Sequence, residues 1–307
     1  MCPCSGPWSK NAHVIAGLTI SGFADEISAD FDEQLRTVTE LGMNHICLRA
    51  ADGKGIAAYS LDQAETLLLP RLDAAGVRVS SLGSPIGKID IAEDGAFERQ
   101  LTQLETLCGM CDLFDCDYIR VFSFYVPTDR PVDESSETVI AKMRQFVDIA
   151  QRYDVTLIHE NEKGIFGDTS ARCRLLFDEL AGEHFKAAFD FANFVQCGEN
   201  PETCWQSLSD YVVYFHIKDA RFDTERNVLC GRGDGRVPEI LSEAVNAGYH
   251  GFLTLEPHLA DFSTFASLER ESSSVQQPVR LDGPSAYAAQ YHALLDILRT
   301  IEQTGPR

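Results

Sequence analysis

The chain has 307 residues, with 26 Lys and Arg against 47 Asp and Glu, giving a formal net charge of −21 at pH 7. Hydrophobic residues make up 44% and charged residues 24%, a globular mixture that excludes collagen-like, low-complexity and disordered chains. The acidic balance counts against nucleic acid, whose phosphates require a basic surface, and against anionic membranes for the same reason.

Ten cysteines are too few for a disulfide scaffold, and most fall in hydrophobic or helical runs, which suits reduced thiols in a cytosol. Cys108, Cys111 and Cys116 lack the second paired motif of a zinc site, and the first two lie at helical spacing. Residues 1–13, with Cys2 and Cys4, are expected to form a mobile tail ahead of one catalytic domain over 14–307. Val14 to Ile20 is apolar but short and lacks a basic leader, and no run reaches the roughly 18 apolar residues of a membrane span. A soluble, cytoplasmic protein is expected, and association into a homo-oligomer is left open.

Strands are predicted over Val14–Phe23, His45–Ala51, Arg78–Ser84, Tyr118–Tyr125, Thr156–Lys163, Lys186–Phe194, Val212–Asp219 and Gly251–His258. Helical periodicity separates them, over Phe31–Leu41, Ser60–Ala75, Phe97–Leu113, Glu137–Tyr153, Ser170–Leu180, Pro201–Leu208, Val237–Ala247 and Ser285–Ile301. Gly42, Gly76 and Gly248 stand where helices stop, and Thr169 and Asn200 where N-caps belong, with Pro201 at N1. Alternating strands and helices require a parallel sheet. Eight such units point to an α/β fold, a single (β/α)8 TIM barrel; an open doubly wound sheet is the alternative. No Gly-x-Gly-x-x-Gly follows the first strand, which removes the simplest dinucleotide argument. The connections Ala51–Tyr59 and Leu259–Pro284 are long enough to cover a site, and the second could equally meet another subunit.

Four consecutive strands end in polar residues that the sheet does not need: Glu160, Asp190, His216 and Glu256. In a barrel these ends share the C-terminal rim, where barrel enzymes place their sites. Three carboxylates and one imidazole suit Mn2+, Mg2+ or Co2+, with Zn2+ as a further option. Strand alternation puts Ile158 and Glu162 on the side of Glu160 and turns His159 toward the helices. By the same parity Lys218 and His258 share the faces of His216 and Glu256, as candidates for substrate hydroxyls or developing negative charge, while Asp219 points away. Glu26 and Arg49 are further candidates to bind substrate hydroxyls, or else form a rim salt bridge. Gly231–Gly235 is a candidate phosphate cradle with Arg232, but Asp234 in the same loop would repel a phosphate. A non-phosphorylated substrate is therefore preferred. Asp168 with Thr169 is read as a helix cap, and Phe122, Phe124 and Tyr125 as core or pocket wall.

The segments His159–Asp168, Phe189–Phe194, Phe215–Ala220 and Leu255–His258 resemble the sugar phosphate isomerase/epimerase family of the xylose isomerase-like TIM-barrel superfamily. Gly22–Ser28, Ser84–Lys88 and Gly231–Gly235 extend the resemblance to nearly the whole chain, Leu18 to Ile301. It implies that Glu160, Asp190, His216 and Glu256 hold one divalent metal ion. It also implies that Glu160 and Glu256 flank a substrate carbon and move its proton. Many members carry a histidine three residues after the strand-six aspartate, where it contacts substrate or a further metal; here that position is Asn193. A multi-zinc endonuclease needs several additional histidines, so Asn193 and the charge both count against that activity.

The expected activity is metal-dependent isomerisation or epimerisation of a small sugar or polyhydroxy ketone through an enediolate. A keto-polyol dehydratase on the same scaffold is the first rival. A non-catalytic sugar-binding or partner protein is a rival of another class.

Overall fold

The computed structural model describes residues 17–127, 129, 131–260 and 281–304. The expected tail over 1–13, the start of the first predicted strand and residues 261–280 of the long connection lie outside them.

Eight parallel strands form one sheet: β1 (Thr19–Gly22), β2 (His45–Leu48), β3 (Arg78–Leu82), β4 (Tyr118–Val121), β5 (Thr156–Glu160), β6 (Phe185–Asp190), β7 (Val212–Ile217) and β8 (Phe252–Leu255). Their order is β1-β8-β7-β6-β5-β4-β3-β2. A parallel bridge between Phe23 and Cys47 joins the two ends and closes the ring. The fold is a single (β/α)8 barrel, as the alternation of elements predicts.

The helices are α1 (Phe31–Glu40), α2 (Leu69–Ala75), α3 (Asp94–Phe114), α4 (Ser136–Tyr153), α5 (Ser170–Leu180), α6 (Phe191–Gln196), α7 (Pro201–Leu208), α8 (Val237–Asn246) and α9 (Gly283–Thr304). Asp30, Thr169 and Asn200 accept backbone hydrogen bonds as N-caps. Asp168 instead pairs with Arg172, and α5 is capped by Thr169 Oγ1, which accepts from Arg172 N, and by Glu199 Oε2, which accepts from Ser170 N. The predicted helix over Ser60–Ala75 is interrupted: Leu61–Gln63 runs into a π turn at Ala64–Leu68 before α2. Pro70 explains the break, because its ring collides with a carbonyl one α-turn earlier and it donates no hydrogen bond.

The predicted strands overrun at their C-terminal ends, and the largest correction is at the sixth. Lys186–Phe194, with its three phenylalanines, is read as one strand. The strand stops at Asp190, whose carboxylate accepts from Asn193 N at 2.7 Å and starts α6. Capping chemistry outweighs β propensity here. Ala50–Ala51 and Asp219–Ala220 leave the barrel to form two short antiparallel ribbons, with Lys54–Gly55 and Asn227–Val228.

Inside the barrel, Ile158, Ala188 and Tyr214 pack with Tyr118 and Phe252. Tyr214 is fully buried, and its hydroxyl meets Ser80 Oγ at 2.8 Å, Ser81 Oγ at 2.9 Å and Thr254 Oγ1 at 2.6 Å. This hydroxyl tier lies one side-chain layer below His216, two residues further along β7. His159 faces outward, as parity predicts, among Phe177 and Phe185. Its Nε2 lies 2.9 Å from Ser123 Oγ, and burial pulls the ring's pKa down to about 4, keeping it neutral.

Tyr214→Phe should strand the Thr254 hydroxyl and cost about 1–3 kcal/mol, read as a lower urea midpoint at unchanged m-value. A midpoint equal to that of the wild type would show that the tier carries no such weight.

Candidate metal centre

Above that tier the barrel mouth is crowded with charge. Glu160 ends β5, Asp190 ends β6, His216 lies on β7 and Glu256 follows β8; each is buried. One donor atom from each comes within 4.8 Å of those of the other three. Parallel register produces the convergence, pairing Asp190 with His216 across β6 and β7 and Glu160 with Ala188 across β5 and β6.

Each carboxylate has one oxygen held by a fixed donor and another turned toward the common centre. Asp190 Oδ1 accepts from Asn193 N, leaving Oδ2 3.1 Å from Lys218 Nζ. Glu160 Oε2 accepts from Arg120 Nη1 at 3.1 Å, leaving Oε1 2.8 Å from His216 Nδ1. Glu256 Oε1 accepts from Arg49 Nη1 at 3.0 Å, leaving Oε2 3.4 Å from Lys218 Nζ and 3.7 Å from His216 Nδ1. The His216 ring is set by aromatic edges, Phe23 at 5.0 Å and Tyr214 at 5.7 Å, and its Nε2 is buried without a hydrogen-bond partner among the described residues.

Beyond the four, Arg49 Nε holds Asp25 at 2.9 Å and Arg49 Nη2 reaches Glu26 at 3.3 Å. His258 N donates to Glu26 Oε2 at 2.8 Å, and its ring lies 3.3 Å from Glu256 Oε1. Glu26, Glu256 and His258 form a second group of metal-competent donors, but Arg49 already bridges its two carboxylates. Asn193 Nδ2 donates to Asn161 O at 2.8 Å and reaches Glu160 Oε1 at 3.5 Å.

Lys218, His258, Glu26, Arg49 and Asn193 are buried or nearly so within the cluster, whereas Arg232 is exposed on the loop after β7 and is not brought into contact with it. That loop is also no phosphate cradle. Its amides are taken by Asp219, which accepts from Gly231 N at 2.9 Å, Gly233 N at 2.8 Å, Gly235 N at 2.9 Å and Ala220 N at 2.9 Å. A Cβ at Gly233 would lie 2.3 Å from Asp219 Oδ1, so glycine serves the carboxylate's close approach.

Sequence reasoning missed Arg120 and Asp25. Arg120 sits between Ile119 and Val121 in an otherwise apolar strand, and that setting was the available signal: a mid-strand arginine there must be buried and therefore paired.

The electrostatics test whether a cation fits. Asp25, Glu26, Glu160, Asp190 and Glu256 are buried with three buried cations, Arg49, Arg120 and Lys218. The enclosure is short of two positive charges. Burial pushes the Asp190 carboxyl well above its usual range despite Lys218, and burial with the neighbouring Glu256 and Asp25 pushes Glu26 up to about 8 despite Arg49. Burial acts on Glu160 and Glu256 too, but His216 with Arg120 at the first, and Lys218 with His258 at the second, hold them below the ordinary range. Two protons, or one divalent ion, would close the deficit. The oxygen-rich donor set and the deficit both fit a hard divalent cation.

The profile of the family described as xylose isomerase-like TIM barrel matches residues 35–276. The chain belongs to that family. Solved structures of similar fold include an L-ribulose 3-epimerase, at 15% identity and TM-score 0.72, covering 92% of this chain and 95% of that one. A probable 3-DHS dehydratase, AsbF, from Bacillus anthracis aligns at 15% identity and TM-score 0.67, covering 90% and 98%. A xylose isomerase-like TIM barrel protein from Mycobacterium smegmatis, in complex with magnesium, aligns at 17% identity and TM-score 0.67, covering 93% and 97%. No curated protein sequence matches significantly. At these identities the likeness is one of fold. Within this xylose isomerase-like barrel, the described residues contain no helix long and apolar enough to cross a membrane.

Metal binding should release protons, because Asp190 and Glu26 hold theirs above the usual carboxylate range without it. The stabilisation by Mn2+, about 2.7 kcal/mol at a hundredfold excess over Kd, should therefore grow from pH 6 to pH 8 in thermal-shift assays and vanish in Asp190→Ala. A shift independent of pH, or retained in Asp190→Ala, would contradict the assignment.

Proposed function

We propose that the protein is a metal-dependent isomerase or epimerase of a small polyhydroxy ketone. The convergence of Glu160, Asp190, His216 and Glu256 at one rim, each carboxylate with one oxygen turned inward, carries this reading. Glu160, Asp190, His216 and Glu256 would hold the ion, with Mn2+, Mg2+ or Co2+ preferred and Zn2+ as an alternative. When bound, it would supply electrophilic charge against the negative charge that develops on a substrate oxygen.

The residues of the chain do the rest. Glu160 and Glu256 are held below their usual range, so both are ionised and able to accept a proton at pH 7. A proton taken from one face of a carbon beside a carbonyl by one inward oxygen, Glu160 Oε1 or Glu256 Oε2, and a solvent-derived proton delivered to the opposite face by the other glutamate, which takes it up before delivery while the first releases its own to solvent, give inversion at that carbon. Return to the neighbouring carbon gives isomerisation. Lys218 Nζ, kept protonated by Asp190 and Glu256 against the opposing effect of burial, donates to a substrate oxygen near those carboxylates. His258 and Asn193 flank Glu256 and Glu160 and orient hydroxyls. The Asp219-filled loop favours a non-phosphorylated substrate.

The same reading makes the partner a small molecule, with neither nucleic acid nor membrane. Among the described residues, eight free, mostly buried cysteines support a reducing, cytoplasmic setting.

Glu160→Gln and Glu256→Gln should each lower turnover by about 10²–10⁴-fold while leaving the fold intact. The deciding assay follows carbon-bound proton exchange from a panel of ketoses in D2O by NMR, with Mn2+ present. Exchange without loss of water supports the reading. Loss of water would move the assignment to a dehydratase, the activity named for one protein of similar fold. Saturable sugar binding without exchange would make the barrel a binding protein.

A further inference from the structure

Arg120 is 2% exposed, and every part of its guanidinium is engaged. Nη1 donates to Glu160 Oε2 at 3.1 Å, Nε to Ser84 O at 3.4 Å and Nη2 to Gly83 O at 3.4 Å. Its flat face lies 4.9 Å from the ring centroid of Phe23 and 4.9 Å from that of Phe122. Two backbone carbonyls and two rings thus fix the group before it meets Glu160. Such a side chain is a mount, not a ligand free to reach substrate.

Arg49 stands in the same relation to Glu256, through Nη1 at 3.0 Å, and its guanidinium lies 4.4 Å from the same Phe23 ring. One aromatic ring therefore spaces two guanidiniums, and the two guanidiniums space the two glutamates. Gly83 makes room for this tier: a Cβ there would lie 2.8 Å from Arg49 Cβ and 2.9 Å from Phe23 Cε1.

We infer that Arg120 and Arg49, spaced by Phe23, are positioning residues that hold the outer oxygens of Glu160 and Glu256 so that each glutamate presents one oxygen to the centre. The inference rests on the metal-dependent reading above. It assigns the arginines to the glutamates and not to the substrate.

The sign of one measurement separates positioning from charge. Removing a cation beside Glu160 makes the cluster more negative, so charge alone predicts tighter Mn2+ binding in Arg120→Met. Loss of the mount predicts weaker binding, by about 10–100-fold, the usual cost of losing a group that orients a metal ligand. Mn2+ titration calorimetry on wild type, Arg120→Met, Arg120→Lys and Phe23→Leu reads this directly. Arg120→Lys keeps the charge but not the planar fork, so its affinity should stay nearer to that of Arg120→Met than to the wild type. Phe23→Leu keeps every charge and should also weaken binding; because Phe23 also edges the His216 ring, Phe122→Leu, which loosens Arg120 with every charge kept, is measured beside it, should weaken binding too, and preserves the test if Arg120→Met fails to fold. With an active substrate in hand, the variants at saturating Mn2+ should lose kcat with little change in KM.

Unchanged or tighter binding in folded Arg120→Met, full recovery in Arg120→Lys, or wild-type affinity in Phe23→Leu or Phe122→Leu would overturn the inference while leaving the metal reading in place. A wild type that binds no Mn2+ would remove that reading and this inference together.

Discussion

Five carboxylates and three cations are buried together in the barrel mouth, and the architecture around them offsets the cost of that arrangement. Burying a charge without a partner is strongly unfavourable, so each acid there is paired or hydrogen-bonded. Arginine suits the two positions that must hold a glutamate oxygen in a set direction, because its planar fork is tied elsewhere, to two carbonyls at Arg120 and to Asp25 and Glu26 at Arg49, while one nitrogen meets the glutamate. Lysine suits the third, where a single ammonium sits against both Asp190 and Glu256. The remaining shortfall of two positive charges appears as raised proton affinity at Asp190 and Glu26.

That constraint runs down into the scaffold. The charged tier stands on a hydroxyl tier built around Tyr214, and that in turn on aliphatic and aromatic packing. Strand ends supply the ligands, so their spacing is set by the sheet and not by flexible loops. The loop after β7 is bound to Asp219 through four amides, which removes its backbone donors from any role toward an anionic ligand. The four candidate ligands come from the side of the mouth where β5, β6, β7 and β8 end, and Asp25, Glu26, Arg49 and Arg120 reach them from β1, β2 and β4.

Strand parity made much of this legible. Alternation along β5 separates Glu160 from His159, and the structure has Glu160 inward and His159 among phenylalanines. Alternation along β7 likewise separates Lys218 from Asp219. Asp190 was legible as a strand-end acid but not as a cap, because Phe191, Phe194 and Val195 carry strand-like propensity and only the Asp190-to-Asn193 spacing signals a helix. The apolar strand around Arg120 signals a buried, paired arginine, but its partner Glu160 lies 40 residues away, a separation no local pattern reports. Asp234 argues in sequence against phosphate at the glycine-rich loop, but the loop's occupant, Asp219, lies 12–16 residues earlier, beyond any turn motif.

One divalent ion shared by Glu160, Asp190, His216 and Glu256 would close the charge deficit of the mouth. The most direct measurement is an anomalous difference map from crystals grown with Mn2+. The account predicts a single strong peak bonded to all four side chains at about 2.0–2.3 Å, with Glu160 and Glu256 each using one oxygen and keeping the other on Arg120 and Arg49. A map with no peak there, and Lys218 still bridging Asp190 and Glu256 at saturating Mn2+, would contradict it.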